Sequence, residues 1–209
     1  MSDESDWQLD AELLEAWRAG DGDAGEKLYD RHVGAVARFF QNKVPDQVEE
    51  LMQQTFLALV ESRDRIRAGV TFRAYLLAIA RYKLLDHLAR KTSGKARVVD
   101  LEADSMVDLA PGPSTVMARK REQRLLLEGL RRIPVEHQIA LELFYWEGLN
   151  AAEIAEVFGI SHSAMRSRLS KARALLEQAM AALADSPDLL TSTVAGLDAW
   201  AAGIREQLA

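Results

Sequence analysis

Residues 148–176 read GLNAAEIAEVFGISHSAMRSRLSKARALL, and the way this stretch must fold decides the class of the whole chain. Residues 151–158 form a short helix by their spacing, Gly159 breaks it, and Ser161 is placed to cap a second helix beginning at His162. Ala155, Gly159 and Met165 fall at the small, turn and apolar positions that let two helices cross steeply. At Gly159 a left-handed backbone is needed, where a Cβ costs about 1 kcal/mol or more. Met165, Leu169, Ala172 and Leu176 share the core face of the second helix, while Ser163, Arg166, Ser167 and Ser170 lie away from it. Between 161 and 173 the charges are Arg166, Arg168, Lys171 and Arg173, with no acid among them. Small polar residues at a helix start, followed by cations, suit a DNA major groove: the first turns meet base edges and the cations meet phosphates. The bland alternative is an αα-hairpin with a solvated basic face.

Working outward, 209 residues suffice for one or two domains with a real core. Cysteine is absent, which excludes disulfides, thiolate zinc sites and a cysteine nucleophile. The longest apolar runs, such as 75–80, are too short to cross a bilayer, and the acidic start is unlike a signal peptide, so a cytoplasmic location with no membrane insertion is expected. A net charge of −6 is unusual for a DNA binder, but it is unevenly spread. Residues 1–26 carry a net −8 and residues 81–97 a net +5. Basic patches on an acidic whole predict weak, salt-sensitive DNA binding by the isolated chain, and a partner that holds it in place.

Taken in order, apolar spacing predicts helices at 7–19, 24–43 and 47–63, the last with Val48, Leu51, Met52, Phe56, Leu59 and Val60 as its buried stripe. Its polar side carries Glu49, Glu50, Gln53 and Gln54, rich enough in carboxylates and amides to receive a basic helix. After a loop containing Gly69, Thr71 can cap a helix at 72–91. On it, Leu77, Leu84 and Leu88 form one side, and Lys83, His87 and Arg90 another. Tyr75 and Tyr82 interleave with these cations, a pattern that fits unpaired DNA bases, although aromatics on a helix more often belong to a core. Residues 92–114, with Gly94, Pro111, Gly112 and Pro113 around four acids, read as a flexible acidic linker. Helices at 115–132 and 135–147 then lead into the helix-turn-helix.

The order of these pieces resembles a bacterial RNA polymerase sigma factor of the extracytoplasmic-function class of the sigma-70 family. Residues 12–40 are similar to the opening of that family's first domain, VEELMQQTFLAL (48–59) to its polymerase-binding helix, TFRAYLLAIARYKLLDHLARK (71–91) to its promoter-melting helix, and 130–176 to its second domain. The resemblance implies an all-α fold: a first domain at 1–91, a linker at 92–114, a helix-turn-helix domain at 115–184 and an extra C-terminal helical extension at 185–209. It implies a non-enzymatic subunit of core RNA polymerase that selects promoters, without cofactor or metal. Glu49, Glu50, Gln53 and Gln54 would face the coiled coil of the largest polymerase subunit, and the second domain its flap. Arg65, Arg73, Tyr75, Lys83, His87, Arg90 and Lys91 would take the melted −10 element. Ser161, His162, Ser163, Arg166, Ser167, Arg168, Lys171 and Arg173 would read the −35 element. The acidic linker would enter the transcript channel, and an anti-sigma protein is a further possible partner. The chain departs from the usual family pattern at Gln54, Tyr75, Tyr82 and 150–152, which bears on promoter sequence more than on function class.

Beyond the family's usual end lies a seam of Leu190, Val194, Leu197, Ala201, Ile204 and Leu208 at alternating spacings of four and three, with Trp200 beside it. It reads as one helix, either packed on its own second domain or covering a DNA or polymerase face as a built-in regulator. Three rival readings define the margins. The scattered His32, His87, His137 and His162, with no phosphate loop or nucleophile motif, argue against an enzyme. A free-standing regulator would dimerise through the C-terminal seam and bind a palindrome. A sigma-like adaptor would bind polymerase without melting DNA.

Overall fold

Capping chemistry and apolar spacing divide the chain into eleven α-helices among the described residues, which are 2–66, 70–92, 100–109 and 120–207 of this computed structural model. In the first domain, α1 (Ser2–Arg18) lies on α2 (Gly22–Gln41), tied by Asp10 to His32 at 2.7 Å and to Arg31 at 2.8 Å. Asp21 caps α2 by accepting from the Asp23 and Ala24 amides, as a carboxylate before a helix start should. A 3-10 turn at Pro45–Gln47 leads into α3 (Val48–Ser62), and Thr71 caps α4 (Phe72–Thr92) by accepting from Ala74 at 3.1 Å. Leu28, Phe40, Leu51, Leu77, Leu84 and Leu88 close this core.

Two expectations about this domain change. Helix α1 begins five residues before the apolar pattern does, because its first turns are polar and leave no periodic trace. On α3 the buried positions are Leu51, Thr55 and Leu59, whereas Val60 is 50% exposed. Thr55 fits in the core because its hydroxyl donates to the Leu51 carbonyl one turn back, at 2.6 Å.

The stretch expected to be a flexible linker contains an ordered piece at 100–109, ending in the short helix α5 (Met106–Leu109). Met106 and Leu109 are buried, and the Asp104 and Leu101 carbonyls accept from the Val135 and Glu136 amides at 3.0 and 3.3 Å. The first amides of a helix have no partner within it, so this segment satisfies the start of α7. Gly94, Pro111, Gly112 and Pro113 lie outside the described residues.

The second domain consists of α6 (Arg121–Arg132), α7 (Val135–Tyr145), α8 (Ala151–Phe158) and α9 (His162–Leu183). Residues 115–119 of the expected helix at 115–132 lie outside the described residues. Helix α7 is buried on nearly every side, including Glu136, His137, Gln138 and Glu142. The C-terminal extension departs from the single seam. It is two helices, α10 (Pro187–Ala195) and α11 (Leu197–Gln207), hinged at Gly196. A Cβ at Gly196 would stand 2.7 Å from the Trp200 indole nitrogen, so the bend lets Trp200 fold back and donate to the Ser192 carbonyl at 3.3 Å. The hinge changes the register: Thr193 is buried and Val194 is exposed. Both helices pack on α6, with further contacts to α9 and α7. Leu208 lies outside the described residues.

The two domains are packed together, α4 against α8 and α2 against α7. Glu147, at the end of α7, accepts from Arg38 at 2.8 and 3.0 Å and from Arg73 at 2.6 Å. Glu136 accepts from Arg81 at 2.5 and 3.1 Å. The fully buried Lys43 pairs with Glu142, which also accepts from Asn42 at 3.2 Å and Gln138 at 2.7 Å. Burial pushes the Lys43 ammonium below its ordinary pKa, against an opposing pull from Glu142.

Candidate nucleic-acid interface

The helix-turn-helix is built by three local devices. Asn150 caps α8 by accepting from the Ala152 and Glu153 amides, while Glu153 reaches back to the Asn150 amide at 2.8 Å. Gly159 adopts φ +67° and ψ 31°, and the next amide, Ile160, returns to the Ala155 carbonyl at 3.1 Å. Ser161 then caps α9 by accepting from Ala164 at 3.2 Å. The inward face of α9 is the expected one, with Met165, Leu169, Ala172 and Leu176 buried.

The outward face carries most of the residues expected to read DNA. Ser161, His162, Ser163, Arg166, Ser167 and Lys171 are exposed, and a shallow surface groove runs past His162, Arg166, Ser170 and Lys171. Ser167 donates back to the Ser163 carbonyl at 3.2 Å, which holds its hydroxyl close to the helix. Arg173 stacks over Phe144 and donates to the Tyr145 hydroxyl at 3.1 Å. Arg168 departs from the set. It packs over Phe158, donates to Glu102 at 2.6 Å and lies 3.7 Å from Glu136, so it faces the domain interface.

The seven residues expected at the −10 element fall into three groups. Arg73 lies at the domain interface on Glu147. Arg65, Arg90 and Lys91 are exposed, Arg90 beside Asp86, and Tyr75, Lys83 and His87 are half-buried. Tyr82, on the same helix, is 65% exposed. Burial, helped by nearby Lys91, pushes the His87 imidazole below its ordinary pKa, against a pull from Glu50 of α3.

On α3, Glu49, Glu50 and Gln53 are exposed, while Gln54 is half-buried and donates to Glu50 at 3.0 Å. The same surface exposes Leu57 and Val60, with Tyr29 of α2 packed on Phe56 at 4.6 Å. A helix with carboxylates at one end and bare aliphatic side chains at the other suits a partner helix with basic and apolar turns. The apolar half of this surface went unread in the sequence because Val60 fits a core stripe equally well. Arg38 and Arg81 were also unread. The available signal was on the other side: Glu136 and Glu142 lie among the apolar residues of α7 and Glu147 follows its end, and buried carboxylates require partners.

Among the described residues, no three His, Asp or Glu side chains are grouped as a metal site, and no helix is long and apolar enough to cross a membrane.

Comparison with known proteins places these surfaces in context. Residues 28–94 match the family model for sigma-70 region 2, and residues 123–176 that for sigma-70, region 4. The RNA polymerase sigma factor CarQ of Myxococcus xanthus is 31% identical over 157 residues, covering 74% of this chain and 88% of its own. Among solved structures, CnrH in complex with the cytosolic domain of CnrY aligns with a TM-score of 0.59 at 24% identity, over 87% of this chain and 99% of that one. The sigma factor RpoE of Bartonella quintana, in complex with the anti-sigma factor NepR, aligns with a TM-score of 0.55 at 19% identity, over 74% and 95%. At these identities the two structures speak for the fold alone.

Proposed function

The chain belongs to the extracytoplasmic-function class of the sigma-70 family, whose members direct promoter-specific transcription initiation, and from that premise we propose how its surfaces divide the work. The outward face of α9 reads the −35 element, with Arg166 at base edges and Lys171 on the backbone. The 63–72 segment and α4 capture the melted −10 element, where Tyr75 and Tyr82 stack on unpaired bases and Lys83, Arg90 and Lys91 follow the phosphates. Helix α3, through Glu49, Glu50, Gln53 and Gln54 together with the exposed Leu57 and Val60, binds the coiled coil of the largest polymerase subunit. The second domain meets the flap, and the acidic connection enters the transcript channel once it leaves its seat on α7. An anti-sigma protein is a fitting regulator, since the Bartonella relative is held by one.

The observation that carries this reading is the one-sided face of α9: exposed small polar residues at its start, exposed cations behind, and no acid between 161 and 173. The overall charge agrees with it, because an acidic chain gains little DNA affinity alone and depends on polymerase to supply it. The C-terminal helices pack on α6 of their own chain, which supports a structural role for them over a dimerisation seam.

The test is run-off transcription with bacterial core polymerase and promoters from the source genome. Transcripts that start at defined promoters only when the protein is added are the expected result. Absence of polymerase association, with tight binding to a palindromic site instead, would move the chain to the free-standing regulators.

A further inference from the structure

We propose that Arg38, Arg73 and Arg81 form a second DNA-backbone surface on the first domain, and that Glu136 and Glu147 of the second domain occupy it in the free chain in place of phosphates. The inference rests on the reading of the chain as a sigma factor and adds both a site and its internal competitor.

The chemistry of the contact points this way. Arg38 meets Glu147 through Nε and one terminal nitrogen, and Arg81 meets Glu136 in the same forked manner. Arg73 adds a second guanidinium to Glu147. Planar forks on paired oxygens are the arrangement by which arginine holds a phosphate as readily as a carboxylate. The three groups come from α2 and α4 of the first domain, and Arg38 and Arg73 also line an open cleft with Arg31, Asp6 and Asp10 of that domain and with Asn150 and Glu153 of α8. Glu136 stands between the two DNA-reading domains: it holds Arg81 of the first and lies 3.7 Å from Arg168 of the α9 helix. One carboxylate therefore neutralises a cation from each.

Geometry requires the contact to open. Elements named −35 and −10 lie about 25 base pairs apart, roughly 85 Å at ~3.4 Å per pair. A compact chain of this length is only about 45 Å across. A protein whose domains touch cannot sit on both elements, so promoter engagement separates α4 from α8 and uncovers the three arginines. The contact is suited to this. Buried ion pairs roughly break even between Coulomb attraction and desolvation, and their charges regain water on separation. A polyanion held nearby by polymerase can then displace two glutamates.

The experiment uses the full-length chain without polymerase. Its lack of cysteine allows Glu26→Cys and Glu177→Cys, on exposed positions of α2 and α9, to carry a fluorophore pair that reports domain separation. The DNA probe is a labelled non-specific duplex of about 30 base pairs, because a backbone site needs no promoter sequence. Glu136→Gln with Glu147→Gln is expected to lengthen the separation and tighten duplex binding about tenfold. The slope of log affinity against log salt should steepen by about 2–3, as expected for three added phosphate contacts. Adding Arg38→Ala, Arg73→Ala and Arg81→Ala should cancel the gain. A gain that survives their loss would overturn the proposal, as would neither gain nor lengthening in a variant that keeps its helical circular dichroism. Should the glutamine variant fail to fold, the labelled chain with all five charged groups intact decides: saturating duplex must lengthen the separation, and an unchanged distance overturns the proposal. Run-off transcription by the unaltered protein tests the underlying reading separately.

Discussion

Arg166 and Arg168 are two residues apart on one helix and meet different surroundings, one open to solvent and one folded onto Glu102 over Phe158. The difference sets what each substitution does. Arg166→Ala is expected to cost about 1–3 kcal/mol at a −35 position where its guanidinium is bidentate to guanine, and nothing at promoters lacking that base. Promoter-variant transcription measures it, and an even loss across all variants would contradict the assignment. Lys171→Ala should instead weaken binding at every sequence and lower the salt slope by about 0.9. Two histidines add a pH dependence. Burial, with Lys91, depresses His87 against Glu50. At His137 burial is again the main cause, opposed by Glu102 and assisted by Lys171 and Arg168. Between their folded values and the ordinary value near 6.5, the unfolded chain binds more protons, so stability rises with pH across that window and falls on acidification. Urea midpoints should drop as pH is lowered below about 6.5, and His87→Gln with His137→Gln should flatten the trend.

At the level of single helices, the helix-turn-helix could be read from the sequence almost completely. Its apolar face, its turn glycine and both caps are local, and local chemistry decides them. Gly159→Ala should cost about 1 kcal/mol or more, since its φ of +67° places a Cβ against the carbonyl, and thermal unfolding would register it. The C-terminal extension was less legible. Spacings of four and three persist across Gly196, so periodicity could not reveal the hinge that Trp200 requires. Because α10 and α11 cover α6 and leave the outward face of α9 bare, deletion of residues 186–209 should lower the melting temperature and leave promoter preference unchanged. A shift in preference at unchanged stability would restore the regulatory reading of this segment.

For the molecule as a whole, the decisive feature is the charged contact between the domains. Lys43 and Glu142 pair across it, both buried. Lys43→Ala strands a buried carboxylate and should cost about 3–5 kcal/mol, read as a loss in the urea midpoint. Lys43→Met with Glu142→Gln removes both charges and keeps an acceptor for Asn42 and Gln138, so it should fall within about 1 kcal/mol of the starting protein or exceed it. Equal loss in both variants would mean that shape, rather than the stranded charge, governs this site.

Periodicity and capping were enough to establish an all-α chain with helices at α4 and α9, and the resemblance of its ordered segments pointed to the sigma-70 kinship. Hydrophobic spacing, glycine punctuation and cap residues act within a few residues of one another, and the order of the pieces supplied the rest. Tertiary structure alone decided which polar residues meet across the domains, that the acidic stretch at 100–109 seats on α7, and that Arg73 and Arg168 face carboxylates. These are pairings between residues some 31 to 109 positions apart, from Val135 with Asp104 to Arg38 with Glu147. No local pattern encodes them, because a buried charge shows only that it needs a partner, and the fold determines which one it meets.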